Sequence, residues 1–133
     1  MKKLGIIGAM DVEVATLKER MENKTVRTIA GSDYCEGKLE GMDVVVVQCG
    51  VGKVNAALCA QILCSCYGVT HIVNTGIAGS LNAELDIGDF VIIRAISDKA
   101  DDSAEMDYPT FEAIAAHRCA QVTMTLANMM QER

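Results

Sequence analysis

The sequence predicts an α/β fold with a mixed central sheet flanked by helices, on three observations. Short β-branched runs, above all Val44-Val45-Val46-Val47, have the unbroken apolar character of strands buried on both faces. Between such runs lie segments of helical period, as in Val14, Leu17 and Met21 at i, i+3 and i+7. Glycine-containing turns stand at the strand ends, where open α/β sheets place their chemistry.

The chain opens on a buried strand over residues 3–8, and residues 11–21 form the first helix. Residues 32–39 and 43–48 read as the two arms of an antiparallel hairpin around Glu40-Gly41-Met42. The loop Gly50-Val51-Gly52 leads into a helix over 53–67, whose apolar side is drawn from Val54, Leu58, Ile62 and Leu63. A strand over 71–74 runs into the second glycine loop, Thr75-Gly76-Ile77-Ala78-Gly79-Ser80. Residues 81–89 are a polar connection, 90–96 a further buried strand, and 109–130 a long closing helix with Pro109 in its first turn.

With 133 residues, half of them hydrophobic, a single proline and no repeat or low-complexity tract, the chain reads as one domain over 1–133. A net charge of −6 without a basic run argues against nucleic acid, and a small neutral or cationic ligand fits better. No stretch approaches the roughly 20 apolar residues of a membrane span, and the N-terminus begins with a strand rather than a signal peptide. The expected address is the cytoplasm.

Six cysteines raise the question of disulfides, but Cys49, Cys59, Cys64 and Cys119 lie in apolar segments of a chain able to build its own core. They read as reduced, mostly buried thiols. Cys64 and Cys66 with His71 are the candidate metal cluster, yet two helical residues at i and i+2 point about 200° apart. Packing is the expected role, and no metal is implied. His117 falls in the closing helix, at its surface or in a groove.

The chemistry-bearing residues are two carboxylates at strand ends. Val91-Ile92-Ile93-Arg94-Ala95-Ile96-Ser97-Asp98 finishes a buried strand with an arginine, a serine and an aspartate. Glu13 follows the first strand, in Gly8-Ala9-Met10-Asp11-Val12-Glu13. An acid and a base on opposite faces of a sugar are what cleavage of a glycosidic bond requires. Each also has an ordinary reading: Glu13 as a first-turn helix carboxylate favoured by the dipole, Asp98 as a helix or loop cap. The glycine turns gather backbone N–H groups for a ligand or simply permit tight turns; none matches a Walker loop or dinucleotide fingerprint, so no cofactor is implied.

Four motifs in order, Gly5-Ile6-Ile7-Gly8-Ala9-Met10 with Glu13, Cys49-Gly50-Val51-Gly52-Lys53-Val54-Asn55-Ala56-Ala57, Asn74-Thr75-Gly76-Ile77-Ala78-Gly79 and Arg94-Ala95-Ile96-Ser97-Asp98, resemble the bacterial 5′-methylthioadenosine/S-adenosylhomocysteine nucleosidases. These belong to the nucleoside phosphorylase/hydrolase superfamily. The resemblance implies its three-layer fold and hydrolysis of the bond between adenine N9 and ribose C1′ in a 5′-thio-substituted adenosine, without a cofactor. It makes Asp98 the acid at adenine N7, with Ser97 orienting that carboxyl group. Glu13 becomes the carboxylate that activates water, and Arg94 the residue that supports this water. Ala9, Met10, Val51, Ile77, Ala78 and Gly79 resemble the wall around base and sugar, and Tyr108 an aromatic cover.

Against that family the chain passes directly from Leu85-Asp86-Ile87-Gly88-Asp89 to Phe90-Val91-Ile92-Ile93-Arg94, without a middle segment of roughly 100 residues. This implies a truncated version of the fold, interrupted at about 89–90. The absent segment carries, in the family, the grip on the ribose hydroxyls and much of a homodimer interface. Two further expectations stand beside the nucleosidase: an internally deleted chain with impaired or no activity, and a nucleoside phosphorylase. The last is disfavoured because Arg94 and Lys53 are the lone cations near the glycine loops, and Glu13 repels phosphate. Ile77, where some relatives carry serine, and Ser80, in place of a second glycine, are smaller departures.

Overall fold

The computed structural model describes residues 2–86, 89, 94–99 and 108–131, and at 94–99, 108 and 111 the backbone alone. In chain order the elements are β1 (Leu4–Gly8), α1 (Asp11–Arg20), β2 (Glu22–Ile29), β3 (Ser32–Leu39), β4 (Met42–Gln48), α2 (Lys53–Tyr67), β5 (His71–Asn74), β6 (Gly76–Ser80), β7 (Arg94–Lys99) and α3 (Tyr108–Gln131). Strands β2-β3-β4-β1-β5 make a five-stranded mixed sheet, and β6 pairs with β7 in a second sheet. The expected α/β architecture is present. No helix among the described residues is long and apolar enough to cross a membrane.

Two tight hairpins build the antiparallel part. Ala30-Gly31 joins β2 to β3 and Glu40-Gly41 joins β3 to β4, with positive φ at all four residues. Positive φ at both central positions is the type I′ requirement, and its twist matches that of the strands. Strand β2 is absent from the sequence-based expectation. It is an edge strand exposed along nearly its whole length, so neither face imposes an alternating pattern.

Central strand β1 is buried throughout and runs parallel to β4 on one side and β5 on the other. Leu4, Ile6, Val44 and Val46 face α1 and α3, packing with Val14, Leu17, Ala120 and Ala127. Ile7, Val45 and Val47 face the opposite way, onto Cys59, Ile62 and Leu63 of α2. The alternation of a period-two strand thus feeds two cores, giving helix, sheet and helix layers. Gly5 permits the close approach of α2, since a Cβ there would stand 3.0 Å from Leu63 Cδ1. Leu63 is fully buried, and Leu63→Ala is expected to cost about 2–5 kcal/mol, read as a lower denaturant midpoint with unchanged slope.

Three expectations are corrected. Val54 and Leu58, assigned to the apolar side of α2, are 82% and 49% exposed, because α2 meets the sheet through Cys59, Ile62 and Leu63 near its C-terminal half. Cys64 and Cys66 are exposed, not buried; Cys35, Cys59 and Cys119 are the buried thiols. Residues 76–80, read as a loop, form β6, because β7 supplies a parallel partner that lies far off in sequence.

Burial holds the proton on Tyr34 and on Cys35, raising both groups above their ordinary values, with Cys59 beside Tyr34 adding to its shift. The unfolded chain releases these protons near pH 10 and 8.5 respectively. Above those values it binds fewer protons than the native state. Stability from this source is therefore complete below about pH 8 and declines as pH rises. The melting temperature is expected to fall between pH 8 and 11, less steeply in Tyr34→Phe than in the parent.

Candidate active site

The parallel strands β1, β4 and β5 end at one rim, and backbone bonds tie their exits together. Cys49 N–H donates to the Gly8 carbonyl and Thr75 N–H to that of Ile7, each at 2.9 Å. The three glycine turns therefore meet where strand order changes across β1, the crevice that open α/β sheets use for ligands.

Among the described residues Glu13 is the buried charged group at this crevice. It stands at the third position of α1, and its helical turn faces inward with Val14 and Leu17, so the side chain is only 1% exposed. The Met10 cap has no side-chain oxygen to offer, and Glu13 at the third helical position makes the other half of a capping box, reaching back to backbone N–H groups at and before the cap. Its Oε2 accepts from Ala9 N–H at 2.6 Å and Met10 N–H at 2.9 Å. Oε1 accepts from Ile77 N–H at 2.9 Å, across 64 residues of sequence. The carboxyl group thus joins the first turn of the chain to β6.

Space for that carboxylate is made by glycine. Gly76 has a φ of 147°, and a Cβ on it would lie 2.0 Å from Glu13 Oε1. Gly8 plays the same part from below, where a Cβ would lie 2.5 Å from Val14 Cγ1 and 3.2 Å from Glu13 Cβ. A carboxylate offers about four acceptor positions, and the three N–H groups leave Oε1 with one for an outside donor such as water.

Of the residues singled out from sequence, Ala9, Met10, Glu13 and Ile77 come together here. Met10 and Ile77 also pack with Ala115 and Cys119 of α3. Ala78 is half-buried and Gly79 exposed, further along β6. Val51 is 75% exposed in the turn before α2, a pocket-wall residue without a wall around it. Arg94, Ser97 and Asp98 lie on β7; its backbone runs parallel to β6, with Gly76 opposite Arg94 and Gly79 opposite Asp98. The register shifts between Ala78 and Gly79, making Ser97 the extra residue of a bulge. The side chains of Arg94, Ser97, Asp98 and Tyr108 lie outside the described residues, as does Phe90 at the expected junction.

Sequence reasoning missed a buried layer beneath Glu13. Thr75 and Thr123 are fully buried, with their hydroxyl oxygens 3.3 Å apart, and Cys119 meets the Gly76 carbonyl. In the sequence, Cys119, Thr123 and Ala127 at i, i+4 and i+8 look like a small-residue packing stripe, which is also what they are. Among the described residues no three His, Cys, Asp or Glu side chains gather as metal ligands.

Comparison with known proteins gives the family of this chain. The model of the phosphorylase superfamily matches residues 3–127. A 5′-methylthioadenosine/S-adenosylhomocysteine nucleosidase of Shewanella sediminis is 51% identical over 90 residues, 68% of this chain and 39% of that protein. The nucleosidase of Halalkalibacterium halodurans is 46% identical over 92 residues, 69% of this chain and 40% of that protein. A crystal structure of the Colwellia psychrerythraea nucleosidase in complex with adenine superposes with a TM-score of 0.64 at 49% identity, covering 66% of this chain and 36% of that one. The Campylobacter jejuni nucleosidase shares the fold, with a TM-score of 0.87 over 97% of this chain and 100% of that chain at 19% identity. The chain spans about two fifths of the length of the curated relatives it matches. With the family match running from β1 into α3, through every element that meets at Glu13, the chain belongs to the phosphorylase superfamily.

Proposed function

We propose that the chain carries the hydrolytic half-sites of a nucleosidase that cleaves the N-glycosidic bond of 5′-methylthioadenosine and S-adenosylhomocysteine, releasing adenine. The observation that carries this reading is the buried Glu13 carboxylate, held by three backbone N–H groups with one acceptor position open. A base so fixed loses no orientation when it takes a proton from water. Asp98 is the acid that donates to adenine N7 as the bond stretches and electron density flows into the purine. Ser97 orients it, and Arg94 supports the water that Glu13 activates.

The backbone register supports the pairing. Asp98 is one strand away from Gly79, and Gly79 is two residues beyond the Ile77 N–H that Glu13 accepts. Strand rise and spacing then put the Asp98 backbone roughly 8 Å from that N–H. Ala9, Met10, Val51, Ile77, Ala78 and Gly79 line the purine and sugar in this reading, and Tyr108 stacks over them.

The test is adenine release. Purified chain incubated with 5′-methylthioadenosine is expected to liberate adenine, and Asp98→Asn to lower the rate about 10²-fold or more. Release that requires phosphate and yields a sugar phosphate would replace hydrolysis with phosphorolysis.

A second reading is favoured by two observations, the exposure of Val51 and Val54 and the span of two fifths of the relatives' length. In it the chain is a nucleosidase interrupted between Asp89 and Phe90, holding acid and base but lacking the grip on the ribose. Hydrogen bonds to sugar hydroxyls that strengthen in the transition state supply several kcal/mol, so their loss lowers the rate by orders of magnitude. Calorimetry with adenine separates the two: heat of binding without turnover supports the second.

A further inference from the structure

We propose that Cys119 of α3 is a positioning residue that latches the peptide between Gly76 and Ile77 with its N–H toward Glu13. One peptide group carries both contacts. Its carbonyl, belonging to Gly76, accepts from the Cys119 thiol at 3.2 Å, and its N–H, belonging to Ile77, donates to Glu13 Oε1 at 2.9 Å. In a trans peptide these two groups point in opposite directions. A donor that pins the carbonyl on the α3 side therefore holds the N–H on the carboxylate side.

The latch adds to the pairing of β6 with β7 at a point where residue 76 is glycine. Without a Cβ, the plane of the following peptide rotates at little steric cost, and the room that Glu13 requires forbids any side chain there. A rotated peptide would present its carbonyl to Glu13, setting acceptor against acceptor in a buried site. Cys119 is itself fully buried, so no water competes for its proton. A thiol is a weak donor, but orientation is all that is asked of it.

One turn further along α3, Thr123 donates to the Cys119 carbonyl at 2.8 Å and stands 3.3 Å from the Thr75 hydroxyl. The helix thereby grips the junction of β5 and β6 at two successive residues. Met10 packs in the same cluster as Cys119, so α3 also backs the turn whose N–H groups hold Oε2. The catalytic consequence of this arrangement rests on the nucleosidase reading; the orientation of the peptide does not.

Amide hydrogen exchange and the carbon-13 shift of the Glu13 carboxyl group, measured by NMR on the full chain, test the latch. In Cys119→Val, which removes the donor and keeps an apolar side chain, exchange at Ile77 is expected to rise about fivefold relative to Val46 in the core strand. The Glu13 carboxyl signal is expected to move with it, and Cys119→Ser, which restores a donor, to recover both. Cys119→Ala serves in the same comparison if the valine variant does not fold. Exchange at Ile77 that stays at the parent level, or rises only in parallel with Val46, overturns the proposal. Where the parent releases adenine, kcat is expected to fall about fivefold in Cys119→Val with KM held. A parent without activity removes the nucleosidase reading and leaves the exchange result to decide the latch.

Discussion

Glu13→Gln is expected to abolish adenine release and to lower the melting temperature in the same protein. On the proposed nucleosidase reading the rate effect follows from removing the general base, a loss of about 10²–10⁴-fold. The stability effect follows from the donors around it. All three groups that touch the side chain are N–H donors, and an amide can present only one oxygen to them. With that oxygen facing Ala9 and Met10, its NH₂ faces the Ile77 N–H, leaving buried donors opposed at a cost of about 1–3 kcal/mol. For a domain of this size that is a fall of roughly 5–10 °C. A Gln variant that melts with the parent would show that the carboxylate does not bind all three N–H groups in solution, whatever its effect on rate.

Gly76→Ala is expected to be still more damaging, although it adds one methyl group. Its Cβ would fall 2.0 Å from Glu13 Oε1 and 2.4 Å from the carboxyl carbon, well inside contact distance, on a residue whose φ of 147° suits no L side chain. Overpacking and backbone strain together cost more than about 3 kcal/mol, and relief by moving Glu13 breaks its bond to Ile77. The variant should be poorly soluble or melt at least 10 °C below the parent. The clash is specific, which gives a stricter check. In Gly76→Ala combined with Glu13→Ala the three atoms nearest to the added methyl are gone, so the double substitution should destabilise by less than the sum of the two singles. Additivity would show that strain at residue 76, and not contact with Glu13, is the whole effect.

Most of the fold is legible in the sequence, and the exceptions have physical causes. Val44 to Val47 can only be a strand buried on both faces, and the positive φ that Glu40-Gly41 supplies closes the hairpin in front of it. Strand β2 escapes notice because Val26 is 62% exposed on a sheet edge, where nothing enforces alternation. The apolar side of α2 is misjudged for the opposite reason. Val54 and Leu58 have the right chemistry and spacing for a buried stripe, but the sheet lies under Ile62 and Leu63. Periodicity reports that a face is apolar, not which partner will cover it.

The site divides in the same way. Glu13 is identifiable from its place after a strand and glycine turn, and Ala9, Met10 and Ile77 from the motifs that surround it. What the sequence by itself determined is the layered α/β frame, the β3–β4 hairpin and the short turns, because these depend on residues near one another along the chain. What only the tertiary structure decided is the environment of Glu13: that its two oxygens face three N–H groups, that one of these comes from Ile77, and that Cys119 holds the far side of the same peptide. Residues 13, 77 and 119 are joined by hydrogen bonds across long stretches of chain. The energy of such bonds depends on distance and direction in space, and no periodicity along the chain encodes either.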